Sequence, residues 1–401
     1  MKAALAESSL RPEHELLLLC CRSELAGTEL EQAARLLARQ PDWNVLLDAA
    51  RCHKVFPLLY ATLARHFPAA VPARLADGLK REYLGNTARN LLLSRQLLHI
   101  LELFAAAGIR AVPFKGPLLS DVLFGDINCR TSQDLDILVA KSDLEQAVLL
   151  LRSDGFSFDI DLDLHQFLRL AGQGFHAVLI RAGSPCPVEL HWELSGRYFS
   201  RDMVMEEVQA RLRKTRFMGR DVLDLSPEDL LVYLCIHGNR HLWMQLDLIS
   251  CIAGLLRKET GLDWDLVFRG ADYYGARRMV LLGCYLAGKL LGVELNSSAV
   301  AEKMADWPAL RGIGDKVIHD LFAGPEERLQ KPTYWDEVRY HRQTMDNFTD
   351  WLRFSMRIVL QPTHSDWQWL RLPVSMAWLY YVLRPLRLGM KYVKRGTSIK
   401  L

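Results

Sequence analysis

The chain has 401 residues, half of them hydrophobic and 24% charged, with a formal net charge of +3. It is long enough for two or three domains, and its composition is ordinary for a soluble globular protein. A net charge this close to zero gives no strong indication of nucleic-acid binding. The eight cysteines include no Cys-x-x-Cys pair, which argues against a zinc site or a disulfide framework and for a reducing compartment.

The sequence also predicts a location for the protein. Glu13 and Glu15 interrupt the apolar residues near the N-terminus, so no secretory signal is expected. No window reaches the roughly 20 apolar residues that a membrane-spanning helix needs. We therefore expect a cytoplasmic protein, either soluble or peripheral to the inner face of the membrane.

Residues 1–108 are predicted to form an N-terminal helical region, because apolar residues recur there with helical spacing. Its longest helix is expected over Asn86–Gly108. A mixed α/β unit follows over 109–225. Its strands are expected at Ile109–Phe114, Leu135–Ala140, Phe156–Ile160, Phe175–Arg181 and Pro187–Trp192.

Helices are predicted again from Ser226-Pro227, a capping residue followed by a proline suited to a first helical turn. A helical region over 226–295 and a C-terminal helical region over 296–401 complete the chain. The predicted fold is therefore α+β and predominantly helical.

Two aspartates mark the start of one apolar strand, in Arg130-Thr-Ser-Gln-Asp134-Leu-Asp136-Ile-Leu-Val139. Side chains alternate along a strand, which puts Asp134 and Asp136 on one face. Two carboxylates this close repel each other and need a compensating cation, and Mg²⁺ suits them. From this pattern alone, a solvated strand end beside a turn is an equally good interpretation.

A site for metal-bound phosphates needs about three carboxylates. Glu189 is the candidate third ligand, because a charge inside the apolar strand Val188-Glu-Leu-His191 is costly unless it is paired or ligating. An edge-strand glutamate facing solvent is the alternative. Glu193 would take its place if the strand register were shifted by two residues.

Lys115-Gly116 lies where a predicted strand meets a helix. A lysine and backbone N–H groups at such a junction can hold phosphates. The spacing of a P-loop is missing, and a solvent-exposed lysine in a turn is the simpler interpretation.

Several segments, taken in order, carry a family resemblance. They are Phe114-Lys-Gly-Pro-Leu-Leu, the aspartate strand, Asp154-Gly-Phe, Val188-Glu-Leu-His-Trp-Glu-Leu, and the stretch from Asp229 to His237-Gly-Asn-Arg-His241-Leu-Trp243. Over about residues 40–260 the chain resembles the uncharacterised nucleotidyltransferase family, within the DNA polymerase β-like nucleotidyltransferase superfamily. The resemblance implies a small mixed sheet flanked by N-terminal and C-terminal helical regions.

The resemblance also implies a reaction. A nucleoside monophosphate would pass from a nucleoside triphosphate, expected to be ATP, to an acceptor hydroxyl, with release of pyrophosphate. Asp134, Asp136 and Glu189 would hold two Mg²⁺ ions, and Lys115 and the Gly116 N–H would contact the triphosphate.

Further residues have two interpretations each. Arg130 would either pair with a phosphate or hold the aspartate strand. His237 and His241 are four residues apart and share a helix face; with Arg240 they would contact base or phosphate, or else pack in a helical core. Cys251 stands where the family is expected to have an acid, so that contact is either weakened or moved one turn to Asp247.

The C-terminal segment mixes aromatic residues, leucines and basic residues between Trp369 and Lys400. It is predicted either as a helix packed on the protein or as an interfacial helix attracted to an anionic membrane surface.

Three functional hypotheses compete at this stage. One is a Mg²⁺-dependent nucleotidyltransferase whose acceptor is a protein, a sugar, a small molecule or RNA. The second is a non-catalytic nucleotide-binding regulator on the same fold, and a peripheral membrane scaffold is a third hypothesis. The presence of three candidate carboxylates favours the enzyme.

Overall fold

The computed structural model describes residues 10–22, 24–159, 164, 167–168, 176–184, 186–194, 201–323, 334–370 and 372–397. Helices surround one small mixed sheet, so the predicted α+β, predominantly helical class is confirmed. The predicted division at residues 108, 225 and 295 stays a prediction.

Helices precede the sheet. They are α1 (Pro12–Cys20), α2 (Thr28–Ala38), α3 (Trp43–Cys52), α4 (Phe56–His66) and α5 (Ala73–Ala106). The last begins well before the expected Asn86, because Pro72 precedes its first turn and no proline interrupts it.

Helix α5 carries two buried asparagines that hold the chain before the aspartate strand. The Asn90 side-chain amide donates to the carbonyl oxygens of Ile127 and Arg130, at 2.7 and 2.9 Å. Asn86 donates to Arg130 as well, at 3.3 Å. Since buried polar groups are stable only when hydrogen-bonded, these amides fix the loop on α5.

The central sheet lies in the following unit. Its elements are β1 (Ala111–Pro113), α6 (Gly116–Phe124), β2 (Leu135–Val139), α7 (Leu144–Ser153), β3 (Phe156–Phe158), β4 (His176–Arg181) and β5 (Val188–His191). The strand order is β1-β2-β5-β4-β3, with β2 and β5 parallel and the other neighbours antiparallel. All five predicted strands are confirmed with shorter ends, although Ile160 and Phe175 lie outside the described residues.

A two-stranded hairpin was not predicted. After the short α8 (Met205–Val208), β6 (Arg213–Phe217) pairs with β7 (Arg220–Asp224). Met218 and Gly219 form the turn with φ of 46° and 83°, and this left-handed backbone matches the twist of a tight hairpin. The strands are rich in charged residues, so they lack the apolar alternation that indicates a strand.

Further helices follow the hairpin. They are α9 (Pro227–Arg240), α10 (Leu246–Lys258), α11 (Trp264–Tyr274), α12 (Arg277–Leu291), α13 (Ser298–Ala305) and α14 (Leu310–Leu321). Ser226 caps α9, since its hydroxyl accepts the N–H of Asp229 at 3.1 Å.

Helix α10 begins at Leu246, after Trp243, which has a left-handed backbone with φ of 56°. The buried indole of Trp243 fills a space between α9 and α12. A Cβ at Gly238 of α9 would lie 2.2 Å from the ring, and one at Gly283 of α12 would lie 3.1 Å from it. Both glycines therefore permit close approach of the tryptophan.

The C-terminal region is helical, as predicted. It contains α15 (Tyr334–Thr344), α16 (Phe348–Leu360), α17 (His364–Trp369), a 3₁₀ helix (Val374–Leu379) and α18 (Tyr380–Thr397). None of the helices in the described ranges combines the length and apolar character needed to cross a membrane.

Candidate active site

The parallel pairing of β2 with β5 brings two of the predicted carboxylates together. In this register Asp136 lies opposite Glu189, and Leu138 lies opposite His191. Because residues two apart on a strand share a face, His191 lies on the same face as Glu189. One face of the sheet therefore carries two acids and a histidine side by side.

The Asp136 side chain is fully enclosed in this cluster. Lys115 Nζ donates to its Oδ1 at 2.7 Å, and His191 Nε2 lies 3.1 Å from the same oxygen. His191 Nε2 also lies 3.4 Å from Glu189 Oε2. The second oxygen, Asp136 Oδ2, is buried and accepts no hydrogen bond from any residue that the structure describes.

These donor atoms fit a divalent cation. One ligand atom from each of Asp136, Glu189 and His191 lies within 4.8 Å of the others. A buried carboxylate oxygen without a donor is rare in proteins, and a bound cation would satisfy it. Asp134, which was predicted as a ligand, is not part of this group of three.

Asp134 lies just before β2, and the charges of Asp136 and Glu189 affect its pKa. Burial, Asp136 and Glu189 together raise its pKa to about 6. Burial also favours a high pKa for Asp136, but the Lys115 charge and the His191 hydrogen bond outweigh it, so the pKa of Asp136 lies well below its usual value. Negative charge is therefore concentrated here beyond what Lys115 neutralises.

Lys115 and Gly116 lie at the N-terminus of α6, beside the aspartates. Gly116 has φ of +66°, a backbone conformation that residues other than glycine rarely adopt. A Cβ at this position would lie in ordinary contact with the Asp134 carbonyl oxygen, at 3.6 Å. The positive end of a helix is thus brought to the acidic cluster.

Helix α9 lies over the same cluster. Phe114 makes edge contacts with both His191 and Tyr233, at ring distances of 5.0 and 5.2 Å. Tyr233 stacks on His237 at 5.8 Å. Burial and the Lys115 charge hold the pKa of His237 well below its usual value.

The end of α9 contributes one more cation. Burial, Arg240 and Lys115 lower the pKa of His241 to about 4. Burial is the main cause of the lowered pKa of His237 and of His176, and the charge of Arg240 contributes to both. Arg240 is the last residue of α9, and the lowered pKa values of His237 and His241 favour their neutral forms.

Comparison with known families identifies the family of the chain. The family model described as uncharacterised nucleotidyltransferase matches residues 39–292. The chain belongs to this family. No curated protein and no solved structure matches the chain.

An ion pair lies beside Cys251, the position that departs from the expected family pattern. Arg130 Nε and one terminal nitrogen bind the two carboxylate oxygens of Asp247 at 3.0 and 2.8 Å, and both side chains are largely buried. Cys251 Sγ lies 3.9 Å from the same carboxylate. Arg130 thus has a partner that holds the loop before β2 on α10, while its contact with a phosphate stays a prediction.

Glu193, the alternative third acid, lies in a different environment. It forms an isolated bridge with Val204, and the register that pairs Glu189 with Asp136 leaves it outside the cluster. Burial and Asp202 raise its pKa to about 7.

Sequence reasoning did not assign a role to His191, His176 or Tyr233. The signal for His191 was available, because it follows Glu189 by two residues on one strand. His176 lies opposite His191 across β4 and β5, and the rings stack at 5.0 Å. This contact and the position of Tyr233 depend on tertiary packing, which the sequence pattern does not give.

Proposed function

We propose that this chain is a metal-dependent nucleotidyltransferase that transfers a nucleoside monophosphate from a nucleoside triphosphate to an acceptor hydroxyl. The observation that carries the proposal is the pairing of Asp136 with Glu189, with one Asp136 oxygen lacking a donor among the described residues. Family membership supports the same reaction class.

In this reaction the acceptor oxygen bonds to the α-phosphorus, and the proton of the hydroxyl passes to solvent water. The bond from that phosphorus to the bridging oxygen breaks, and pyrophosphate leaves. Asp134, Asp136 and Glu189 would hold two Mg²⁺ ions, with His191 beside them. Bound Mg²⁺ would offset the charge that develops on the phosphate oxygens and the leaving pyrophosphate.

The chain's own cations would bind the rest of the nucleotide. Lys115 neutralises Asp136 in the structure, and its position at the start of α6 suits a triphosphate contact together with the Gly116 N–H. Arg240 would add a second positive charge. His237 and His241, with their lowered pKa values, would act as neutral hydrogen-bonding groups.

ATP is the proposed nucleotide, and the cytoplasm is the proposed location. The acceptor belongs to one of four classes: protein, sugar, small molecule or RNA. The near-zero net charge gives RNA no particular support.

A non-catalytic nucleotide-binding regulator on the same fold is the competing proposal. Such a protein would bind nucleoside triphosphate but would leave the α-phosphate in place. The presence of three candidate carboxylates, Asp134, Asp136 and Glu189, favours the enzyme, because a site that holds two metals for phosphoryl chemistry needs about three.

The test is to incubate the protein with α-labelled nucleoside triphosphates, Mg²⁺ and a cell extract, and to identify the labelled product. Asp136→Asn should lower the transfer rate by about a thousandfold or more, because removing a carboxylate weakens the charge stabilisation of the transition state. Asp320→Asn is the matched control, since Asp320 is exposed and pairs with Lys316 and His319 of its own helix.

Glu189→Gln provides a second variant in case Asp136→Asn leaves Lys115 uncompensated and unfolds the chain. Equal labelling by the wild type and by both folded variants would contradict catalysis at this site. Saturable nucleotide binding without any labelled product would support the regulator.

A further inference from the structure

The outer side of α18 carries a row of exposed apolar side chains. Trp378 in the preceding 3₁₀ helix and Val382, Leu386 and Met390 in α18 follow one another at intervals of four residues. Their exposed fractions are 62%, 54%, 60% and 51%. Residues spaced by four lie on one side of a helix, and these four are called the outer row below.

The opposite side of α18 is anchored in the protein. The Arg384 guanidinium is buried and binds Asp366 Oδ2 at 2.6 Å and the Ile358 carbonyl oxygen at 3.0 Å. At about 100° per residue, Val382 and Leu386 lie far round the helix from Arg384. Since this anchor determines how α18 is turned, the outer row is held outward.

A second helix beside it has the same character. Phe348, Leu352 and Met356 of α16 are also four residues apart, with exposed fractions of 56%, 44% and 50%. Contiguous exposure of this kind is uncommon on a soluble surface and marks a site of interaction.

The charges nearby identify the partner. From Trp367 to Leu401 the sequence has seven lysines and arginines and no acid. Arg384 and Arg387 bind Asp366, whereas residues 391–400 add four more positive charges directly after Met390. An apolar row followed by a cluster of positive charge complements a lipid surface with anionic headgroups.

We infer that α18 lies flat on an anionic membrane surface, with the outer row inserted among the acyl chains near the headgroups. The positive charge that the sequence carries after Met390 attracts the anionic headgroups. No helix in the described ranges is suited to crossing the bilayer, so the attachment is peripheral and sensitive to salt. This inference is independent of the nucleotidyl-transfer proposal.

Vesicle flotation with the full-length protein tests it. Vesicles of phosphatidylcholine with about 30% phosphatidylglycerol should carry the protein, whereas phosphatidylcholine alone should bind at least about tenfold less. Val382→Glu and Leu386→Glu should each lower binding about tenfold, because a charge replaces an inserted apolar group. Raising NaCl from about 0.1 to 0.5 M should also weaken binding.

Leu84→Glu and Leu92→Glu are the matched controls. Both leucines are about as exposed as the outer row, at 51% and 52%, but they lie on α5. Equal loss in control and outer-row variants, or equal binding to neutral and anionic vesicles, would overturn the inference. So would light scattering that shows a dimer lost in Leu386→Glu while vesicles bind neither protein, because the row would then be a contact between copies of the chain.

Discussion

The strand face around Asp136 and the outer row of α18 depart in opposite directions from the rule that apolar groups are buried and charges exposed. At the sheet, charged side chains are enclosed and held by partners. On α18, large apolar side chains are left in water. Each arrangement lowers the stability that the folded chain could otherwise have, so each is best understood as serving an interaction.

The largest effect is expected from breaking the buried Arg130–Asp247 ion pair, which supports the charged region around Asp136. Arg130→Met or Asp247→Leu alone should lower the free energy of unfolding by about 3–5 kcal/mol, because the remaining charge is left buried without a partner. Urea unfolding measures this loss. The double variant Arg130→Met/Asp247→Leu should recover most of it.

Arg51→Met is the control for that comparison, because Arg51 pairs with Glu82 at the surface. This substitution should lower the free energy of unfolding by no more than about 1 kcal/mol. If Arg130→Met cost equally little, the buried pair would not be the support described here.

Lys115→Met should have the next largest effect on the free energy of unfolding. In metal-free buffer it removes the cation that compensates Asp136, and we expect a loss of about 3 kcal/mol in unfolding free energy. Mg²⁺ should raise the melting temperature of the variant more than that of the wild type, since a bound cation replaces the missing charge. Lys316→Met, which breaks an exposed pair with Asp320, should show neither change.

The pH dependence of stability should identify Asp134. Its pKa is about 6 in the folded protein, above its ordinary value, so the folded state binds the proton more tightly than the unfolded chain does. The stabilising contribution is therefore complete below about pH 4 and is lost as the pH rises through 6. In chelator, Asp134→Asn should melt above the wild type at pH 7.5, and the two should converge near pH 4.

Mg²⁺ should reduce the difference in melting temperature between Asp134→Asn and the wild type at pH 7.5, because a cation relieves the repulsion among the carboxylates. If the melting temperatures of Asp134→Asn and the wild type differed by the same amount at every pH from 4 to 8, Asp134 would not interact with the charges of Asp136 and Glu189.

The smallest effect is expected on the outer row. Leu386→Ala should change the unfolding free energy by no more than about 0.5 kcal/mol, because an exposed side chain loses little packing. Leu282→Ala, on α12 and fully buried, should cost about 2–5 kcal/mol. A large loss at Leu386 would mean that this leucine packs on the protein in solution.

The sequence predicted the central strands because each is a short apolar run between turn residues, and it predicted Asp136 and Glu189 because charges stand out in such runs. It did not predict the β6–β7 hairpin, whose strands are charged. Nor did it predict the Arg130–Asp247 pair, which joins residues more than a hundred positions apart. Contacts of that kind depend on how helices pack, and no local periodicity encodes them.

The parallel pairing of β2 with β5 also has a consequence for the order of folding. Asp136 and Glu189 are about fifty residues apart, and loop closure on that scale makes such contacts form late. During synthesis, the chain cannot assemble this acidic cluster until β5 has left the ribosome. A nascent chain ending before Val188 would therefore hold Asp136 but neither Glu189 nor His191, and the proposed metal site would be completed late in synthesis.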